Sequence, residues 1–366
     1  MAGSSYGTIF RITTWGESHG PALGVVIDGC PAGLPLSEAD IQPYLNRRKP
    51  GQSAISTPRK EDDAVEILSG VFEGRTTGTS ISLIVRNTSQ RSGDYSEIAS
   101  YYRPGHADYT FDQKYGFRDY RGGGRSSGRE TVGRVAAGAV AAKLLKEMGI
   151  TVTAYTRSIG PVEADLSHFD RSAILTTPTA MPDVAASQRA QTYLANLMSQ
   201  SDSAGGVMEC LVEGLPAGIG DPVFEKLDAN LGKALLSIGA VKAVEIGDGT
   251  AVSAKRGSEN NDAFRMQAGA VTKTSNHAGG ILGGISDGSP LLIRAHVKPT
   301  PSIFSPQETV NKEGQDITVQ IKGRHDPVIV PRAVVVMESM IAITLLDALM
   351  LNMSAKAEDL ISFYKK

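Results

Sequence analysis

The distribution of apolar and polar residues predicts a chain that mixes strands and helices. Runs rich in β-branched residues and bounded by glycine predict strands over residues 22–27, 80–85, 206–212, 243–246, 291–297 and 317–321. The most apolar stretch, residues 328–353, is interrupted by Arg332, Glu338 and Asp347. Since a membrane span needs roughly 20 predominantly apolar residues, we interpret this stretch as a buried helix. The predicted fold class is therefore α+β.

Two helix starts are marked by a serine that stands three residues before an acidic residue. The pairs are Ser37 with Asp40 and Ser127 with Glu130, a spacing at which both side chains can satisfy free amide groups. The second pair leads into residues 129–148, which are mostly apolar and are followed by a glycine. We predict a largely buried helix there.

Two parts of the sequence resemble each other. Residues 70–81 align without gaps with residues 280–291, and PAGL at residues 31–34 corresponds to PAGI at residues 216–219. Two copies of one turn-and-strand unit indicate a duplication, in which each half forms a sheet with helices. Packing the two helix layers together predicts a β-α-α-β sandwich of two pseudo-repeated halves with a shared helical core. Chance similarity between glycine-rich segments is the alternative.

Composition bounds the size of the core and the kinds of partner. The 366 residues are 41% hydrophobic and 21% charged, and we expect a single domain over residues 1–366 with halves of about 7–150 and 151–353. The net charge of −2 provides no general attraction for nucleic acid or acidic membranes, so neither is predicted as a partner. The polar start of the chain and the two widely separated cysteines predict a cytoplasmic protein.

A long polar segment, residues 86–128, has little helix or strand pattern and is rich in arginine. Long ordered loops are usually functional, and arginine binds phosphate or carboxylate through two parallel hydrogen bonds. We predict an active-site loop that binds anions, with a solvated surface loop as the alternative. Its arginines are Arg86, Arg91, Arg103, Arg118, Arg121 and Arg125.

The end of this segment, GGGRSSGR at residues 122–129, leads directly into the predicted helix. Free amides, hydroxyls and two guanidinium groups would meet at the positive end of that helix, which predicts a phosphate site. Neither the Walker pattern nor the dinucleotide pattern of glycines is present. A glycine-rich turn in front of a structural helix is the alternative.

Three of the six histidines lie in turns, namely His19 in GESHG, His106 in RPGHAD and His325 in GRHDP. We expect the His19 ring to be accessible and able to exchange protons near neutral pH. The nearby arginines favour an acid-base site for an anion and disfavour a metal ion, which they would repel. Ser18 lies outside the GxSxG pattern of serine hydrolases, so we interpret it as a ligand-binding hydroxyl.

Two further segments flank the strand predicted at residues 291–297. SNHAGGILGG at residues 275–284 would let the backbone approach a flat ring, and KPTPS at residues 298–302 offers an amine and hydroxyls. Either segment alone fits a structural turn. Together they favour a cofactor that carries phosphate.

These segments, in this order, resemble the chorismate synthase family over about residues 7–348. The motifs are GESHG, RRKPGQS, RPGHAD, GGGRSSGRET, SNHAGGILGGIS, KPTPS and GRHDP. The resemblance implies a homotetramer of β-α-α-β sandwich subunits, each binding reduced FMN. It also implies a 1,4-trans elimination of phosphate from 5-enolpyruvylshikimate 3-phosphate without net redox change, which gives chorismate in the last step of the shikimate pathway. Whether NADPH reduces the flavin on this protein or an external reductase does so stays open.

The resemblance implies roles for individual residues. His19 would protonate reduced flavin, His106 would serve the departing phosphate, and Asp326 would face the flavin N5 edge. The substrate would be bound by Ser18, Arg48, Arg103 and Arg129. FMN would be held by Arg125, Ser126, Ser127, Gly239, Ala240, Gly283, Lys298, Pro299, Thr300, Pro301, Ser302 and Arg324.

The sequence departs from the family pattern at two positions. Gly239 stands where many relatives have asparagine, so only a backbone contact is implied there. Ala54 stands where many relatives place a second substrate-binding arginine, and Arg59 and Lys60 are the alternatives for that charge.

Two other functions are compatible with the residues. A phosphate- or RNA-binding protein would use the arginine-rich loop without catalysis, and its affinity would fall steeply with salt. The net charge and the lack of aromatic residues around the glycines disfavour it. A flavin oxidoreductase would instead transfer hydride steadily to its substrate.

Overall fold

Four helices pack together at the centre of the molecule, namely Glu38–Arg48, Thr131–Glu147, Leu227–Leu236 and Val330–Asn352. The computed structural model describes residues 3–51, 61–88, 97–321 and 326–365. Within these ranges the α-helices are α1 (Glu38–Arg48), α2 (Asp108–Tyr115), α3 (Thr131–Glu147), α4 (Ala173–Thr176), α5 (Val184–Ser199), α6 (Leu227–Leu236), α7 (Gly257–Asn260), α8 (Val330–Asn352) and α9 (Ala357–Tyr364).

Most strands belong to two five-stranded antiparallel sheets. The first sheet has the order β1-β2-β3-β7-β4 and the second has the order β11-β16-β10-β8-β9, so each sheet takes its strands from one half of the sequence. The described strands are β1 (Ser5–Tyr6), β2 (Arg11–Gly16), β3 (Ala22–Asp28), β4 (Val65–Ser69), β5 (Val71–Phe72), β6 (Arg75–Thr76), β7 (Ile81–Arg86), β8 (Thr151–Ile159), β9 (Val162–Glu163), β10 (Gly206–Glu213), β11 (Val241–Ile246), β12 (Phe264–Gln267), β13 (Ala270–Lys273), β14 (Ile281–Leu282), β15 (Ile285–Ser286), β16 (Leu291–Val297), β17 (Gln307–Val310) and β18 (Asp316–Val319).

The two sheets enclose two layers of helices. α3 packs against β2, β3 and β7 of the first sheet, and α8 packs against β8 and β10 of the second. The two helices also pack on each other, with α1 beside α3 and α6 beside α8. Val135 and Val140 of α3 and Ile341 and Leu345 of α8 are fully buried. The predicted β-α-α-β sandwich with a shared helical core is therefore confirmed.

Both halves contain the same small hairpin in front of a long strand. β5 pairs with β6 ahead of β7, and β14 pairs with β15 ahead of β16. Thr76 Oγ1 donates to Pro31 O at 2.6 Å, and Ser286 Oγ donates to Pro216 O at 2.6 Å. Each hydroxyl also accepts from the amide three residues after its proline, at 3.0 and 2.9 Å. The turn-and-strand repeat predicted from the sequence is thus present in both halves.

An ion pair between a half-buried arginine and a buried glutamate joins the two halves inside the helix layers. Arg47 of α1 donates from Nη1 and Nη2 to the two oxygens of Glu338 in α8, at 2.8 and 2.9 Å. The same carboxylate accepts from the backbone amide of Ala154 in β8 at 3.2 Å. An unpaired charge at this depth would be strongly destabilising, so α1, α8 and β8 depend on one another.

Several elements agree with the sequence analysis and one does not. The strands predicted at residues 22–27, 206–212 and 291–297 correspond to β3, β10 and β16. α8 is the one helix in the described ranges with the length and apolarity of a membrane span, and 72% of that apolar window is buried in the protein, as predicted for a core helix. The segment 86–128 was expected to lack helix, but it contains α2; residues 89–96 of it lie outside the described ranges.

Candidate active site

The turn that carries Ser18 and His19 connects β2 to β3 and is buried. Ser18 is 1% exposed and His19 is 7% exposed, so the expectation of an accessible histidine ring was wrong. Ser18 Oγ lies 3.1 Å from His19 Nδ1 and donates to Gly122 O at 3.4 Å. The glycine-rich loop, more than 100 residues away in sequence, covers the ring. A Cβ atom at Gly122 would lie only 2.3 Å from His19 Cε1 and Nδ1.

The glycine-rich loop has a backbone that only glycine adopts readily. Gly122, Gly123 and Gly124 have φ angles of 63°, 83° and 53°, in the left-handed region. Two short 3₁₀ turns, Gly124–Ser126 and Gly128–Glu130, follow before α3 begins at Thr131. Only the serine half of the predicted cap is present: Ser127 Oγ accepts from the amide of Arg129 at 3.3 Å, whereas the Glu130 carboxylate accepts from Thr14 Oγ1 and Arg134 Nε, both at 2.8 Å. The α-helix itself begins two residues later than predicted, because a 3₁₀ turn occupies its first turn.

Arg125 links this loop to the end of β2 in the first sheet through hydrogen bonds. Its guanidinium donates to Gly16 O and Thr14 O, both at 3.1 Å, and to Thr14 Oγ1 at 2.8 Å. Ser126 Oγ donates back to Gly123 O at 2.6 Å. The Arg125 side chain thus has backbone partners in this conformation, and its contact with FMN stays a prediction.

Two buried arginines share one carboxylate below the loop. Arg48 Nη2 and Arg129 Nη1 donate to the two oxygens of Asp63, at 3.1 and 2.8 Å, and all three residues are at most 6% exposed. Burial lowers the pKa of Arg48 to about 10, although Asp63 opposes the shift, so its guanidinium stays charged at neutral pH. Arg48 Nε and Arg129 Nη2 are buried without a hydrogen-bond partner among the described residues. Such donors are suited to an anion.

A second arginine site is built by the RPGHAD turn. Arg103 donates from Nε and Nη2 to the two oxygens of Asp108, both at 2.8 Å. Burial opposes ionisation of Asp108, but these hydrogen bonds outweigh it and hold the pKa of the carboxyl below its usual value. Asp108 therefore fixes the plane of the guanidinium, although the sequence analysis assigned it no role.

The same turn contacts the KPTPS segment of the second half. His106 Nε2 lies 2.6 Å from Ser302 Oγ, and Lys298 Nζ donates to Gly105 O at 2.7 Å. Ser302 is 4% exposed, and Thr300 Oγ1 is buried without a hydrogen-bond partner in the described part of the chain. The histidine and a predicted FMN-binding serine are thus adjacent, as a shared site requires.

Some of the remaining predicted residues have contacts that relate them to the site, and others lie outside the described residues. The amide of Lys298 donates to Ala240 O at 2.9 Å, which places residues 239–240 beside the KPTPS segment. Gly283 is at the tip of the β14–β15 hairpin with open space beside its Cα atom. Asp326 forms an ion pair with Arg332, whose Nε donates to Arg48 O at 3.0 Å. Ala54, Arg59, Lys60, Arg91, Arg324 and His325 lie outside the described residues.

Short contacts join these groups into one cluster from both halves of the chain. The His19 turn lies against Gly122, and a Cβ atom at Gly123 would lie 3.8 Å from Arg103 Nη2. Arg103 and His106 share a turn that contacts Ser302. The arrangement combines two imidazole rings with three buried guanidinium groups, a set that can hold a multiply charged anion and move protons beside it.

Comparisons with known proteins identify the family. The sequence model of chorismate synthase matches residues 10–350. A chorismate synthase of Agathobacter rectalis is 64% identical over 366 residues and both chains are covered in full. One of Methanocella arvoryzae is 55% identical over 350 residues, covering 95% of this chain and 94% of that protein. A crystal structure of chorismate synthase matches with a TM-score of 0.77 and 31% identity, covering 98% of this chain and 97% of that one. The chain belongs to the chorismate synthase family of enzymes.

Proposed function

We propose that the protein is a lyase that eliminates phosphate from 5-enolpyruvylshikimate 3-phosphate to give chorismate, the last step of the shikimate pathway, with reduced FMN bound and no net redox change. The observation that carries this proposal is the cluster of buried arginines beside His19 and His106. The substrate bears a phosphate and two carboxylates, and buried guanidinium groups match that charge.

The contacts of each side chain support a separate role for it in this reaction. Arg48 and Arg129 bind the substrate anions through the donors that have no hydrogen-bond partner among the described residues. Arg103, held in plane by Asp108, binds another anionic group near His106. His106 donates a proton to the departing phosphate, and His19 donates the proton that reduced flavin takes up. Ser18 Oγ lies 3.1 Å from His19 Nδ1 and orients the ring. Proton transfer by a placed side chain typically contributes about 100- to 10,000-fold in rate.

The residues present fit FMN as the cofactor. The buried hydroxyl of Thr300 needs an acceptor or donor, and Lys298 and Ser302 lie beside it in the same segment. With Ser126, Ser127, the backbone of residues 239–240, Gly283 and Arg324, they would hold the phosphate and ring. Reduced FMN, when bound, supplies an electron that assists loss of phosphate and is recovered as the ring hydrogen leaves. Asp326, paired with Arg332, is the carboxylate assigned to the flavin N5 edge.

Anaerobic turnover tests the proposal. The protein is mixed with chemically reduced FMN and 5-enolpyruvylshikimate 3-phosphate, and chorismate and inorganic phosphate are measured together. Equal amounts of both products with reduced FMN, and none with oxidised FMN, are expected. Phosphate without chorismate would indicate a phosphatase and would overturn the proposal. Repeating the assay with oxidised FMN and NADPH decides whether the protein reduces its own flavin.

We expect the enzyme to act as a cytoplasmic homotetramer. The support for this assembly is membership of the family. Light scattering at assay concentration should give about four times the chain mass of 38.6 kDa. A mass of one chain would contradict the assembly and would leave the chemistry to be decided by the turnover assay.

A further inference from the structure

Asn87 directly follows β7, and its side-chain amide touches two parts of the candidate active site. Its Nδ2 donates to Glu17 O at 2.9 Å and to Gly20 O at 2.8 Å. These two carbonyls flank the serine and the histidine of the buried turn. Its Oδ1 accepts from Arg129 Nε at 2.7 Å. One amide group therefore joins the histidine turn to a buried arginine.

The sheet fixes the place of this amide. Ala22 of β3 pairs with Arg86 of β7, and the next residue continues the contact, since the backbone amide of Asn87 donates to Pro21 O at 3.1 Å. The side chain therefore leaves the end of β7 at a set position beside the turn. Its three hydrogen bonds then leave its amide plane little freedom.

Among side chains of this size, asparagine alone offers two donors and an acceptor on one planar group. Aspartate would accept from Arg129 but could not donate to the two carbonyls of the turn. The bond to Asn87 and the bond from Nη1 to Asp63 set the plane of the Arg129 guanidinium. Its remaining group, Nη2, has no hydrogen-bond partner in the described part of the chain, although the Glu61 carboxylate lies 3.7 Å away.

We propose that Asn87 is a positioning residue that couples the proton-transferring histidine turn to the anion-binding Arg129. This inference rests on the function proposed above, since it assigns the two ends of the amide to proton transfer and to substrate binding. The carbonyl contacts hold the His19 ring under the glycine-rich loop. The bond to Arg129 sets the direction of Nη2, the guanidinium group assigned above to the substrate.

Three variants separate the two contacts. Asn87→Ala removes both, and Asn87→Asp keeps an acceptor for Arg129 while losing both donors. Asn196→Asp makes the same chemical change on an exposed residue of α5 and serves as the control. Affinity for 5-enolpyruvylshikimate 3-phosphate is measured by calorimetry, and the histidine ring signals are followed by NMR of protein carrying 13C-labelled histidine, with the His19 signal assigned by its loss in His19→Asn.

In Asn87→Ala, affinity should fall about tenfold, the usual effect of losing a hydrogen bond to a charged group, and the His19 signal should move. In Asn87→Asp the His19 signal should move as well, because both donors are lost. In an Arg129→Lys background, where Nε is absent, Asn87→Ala should change affinity by much less than tenfold. Asn196→Asp should leave affinity and the His19 signal as in the unmodified protein.

An unmoved His19 signal in both Asn87 variants, or an equal loss of affinity in both backgrounds, would overturn the inference. A merely structural role for Asn87 would lower the unfolding temperature without this non-additivity. If Asn87→Ala does not fold, as judged by circular dichroism, the His19 signal of Asn87→Asp decides the question. If the unmodified protein neither binds the substrate nor forms chorismate, the proposed function fails, whereas the NMR comparison still reports whether Asn87 orients the histidine turn.

Discussion

Replacing Gly122 by alanine should slow the enzyme about 100-fold while the protein still folds. The added Cβ atom would lie 2.3 Å from two atoms of the His19 ring and 2.7 Å from Ser18 Oγ. Ordinary contact begins at 3.4 Å, so the ring or the loop must move by about 1 Å. A misplacement of that size can cost about 100-fold in rate.

The backbone adds a separate and smaller penalty. Gly122 has a φ angle of 63°, and an alanine in the left-handed region costs roughly 1–2 kcal/mol. Gly149, after the end of α3, has a φ angle of 76° and nothing within 4 Å of an added Cβ atom. Gly149→Ala therefore carries the same backbone penalty without the collision, and it is the matched control.

Both variants are compared in the anaerobic assay and by thermal unfolding. We expect Gly122→Ala to lose about 1–3 kcal/mol more unfolding free energy than Gly149→Ala, because the collision must be relieved, and a turnover about 100-fold slower in Gly122→Ala alone. Equal turnover in the two variants would show that the loop can retreat without moving His19. That result would refute the inference that the glycine fixes the place of the ring.

Three further perturbations test other contacts. Asp63→Asn removes the charge shared by two buried arginines and should cost about 3–5 kcal/mol of unfolding free energy at neutral pH, measured by urea denaturation. Burial opposes ionisation of Asp63, but its two ion pairs hold its pKa below the usual value. The stability that the Asp63 carboxylate contributes is therefore complete above about pH 4 and is lost as the pH falls through the lower folded-state pKa. The variant should consequently lose less stability in acid than the unmodified protein. Ser302→Ala frees His106 Nε2 from its 2.6 Å contact and should slow phosphate release roughly tenfold, followed by stopped flow; an unchanged rate would remove the serine from the site. Arg125→Ala should weaken FMN binding in a flavin titration, and unchanged affinity in a folded protein would contradict that assignment.

The core elements were predictable because their own sequences determine them. β16 directly follows Pro290 and is followed, after Lys298, by Pro299; it alternates buried with half-buried residues, and α8 is apolar on nearly every face. α2 was missed because DYTFDQKY has only one buried residue, Asp108, and no apolar stripe. Its position depends on the ion pair of Asp108 with Arg103, a contact that periodicity does not reveal.

The motifs located the candidate site, but the surroundings of each residue came from distant parts of the chain. The burial of His19 depends on Gly122, and nothing near GESHG in the sequence indicates that cover. Asp63 and Asn87 belong to no recognisable pattern of residues. Their contacts exist only because β4 and β7 pair antiparallel in one sheet, so that Asp63, before the start of β4, and Asn87, after the end of β7, both reach Arg129. Arg103 and Asp108 could have been paired from the sequence, since only the four residues of a tight turn lie between them.

The position of α8 in the chain has a consequence for how the protein is made. This helix lies against α3 and against β8 and β10 of the second sheet, yet it follows every strand of both sheets in chain order. Until α8 has been synthesised, α3 lacks the helix that covers one of its apolar faces, and Arg47 lacks its partner Glu338. The core therefore cannot close before α8 arrives, and chaperones that shield apolar surface would bind the nascent chain during that interval.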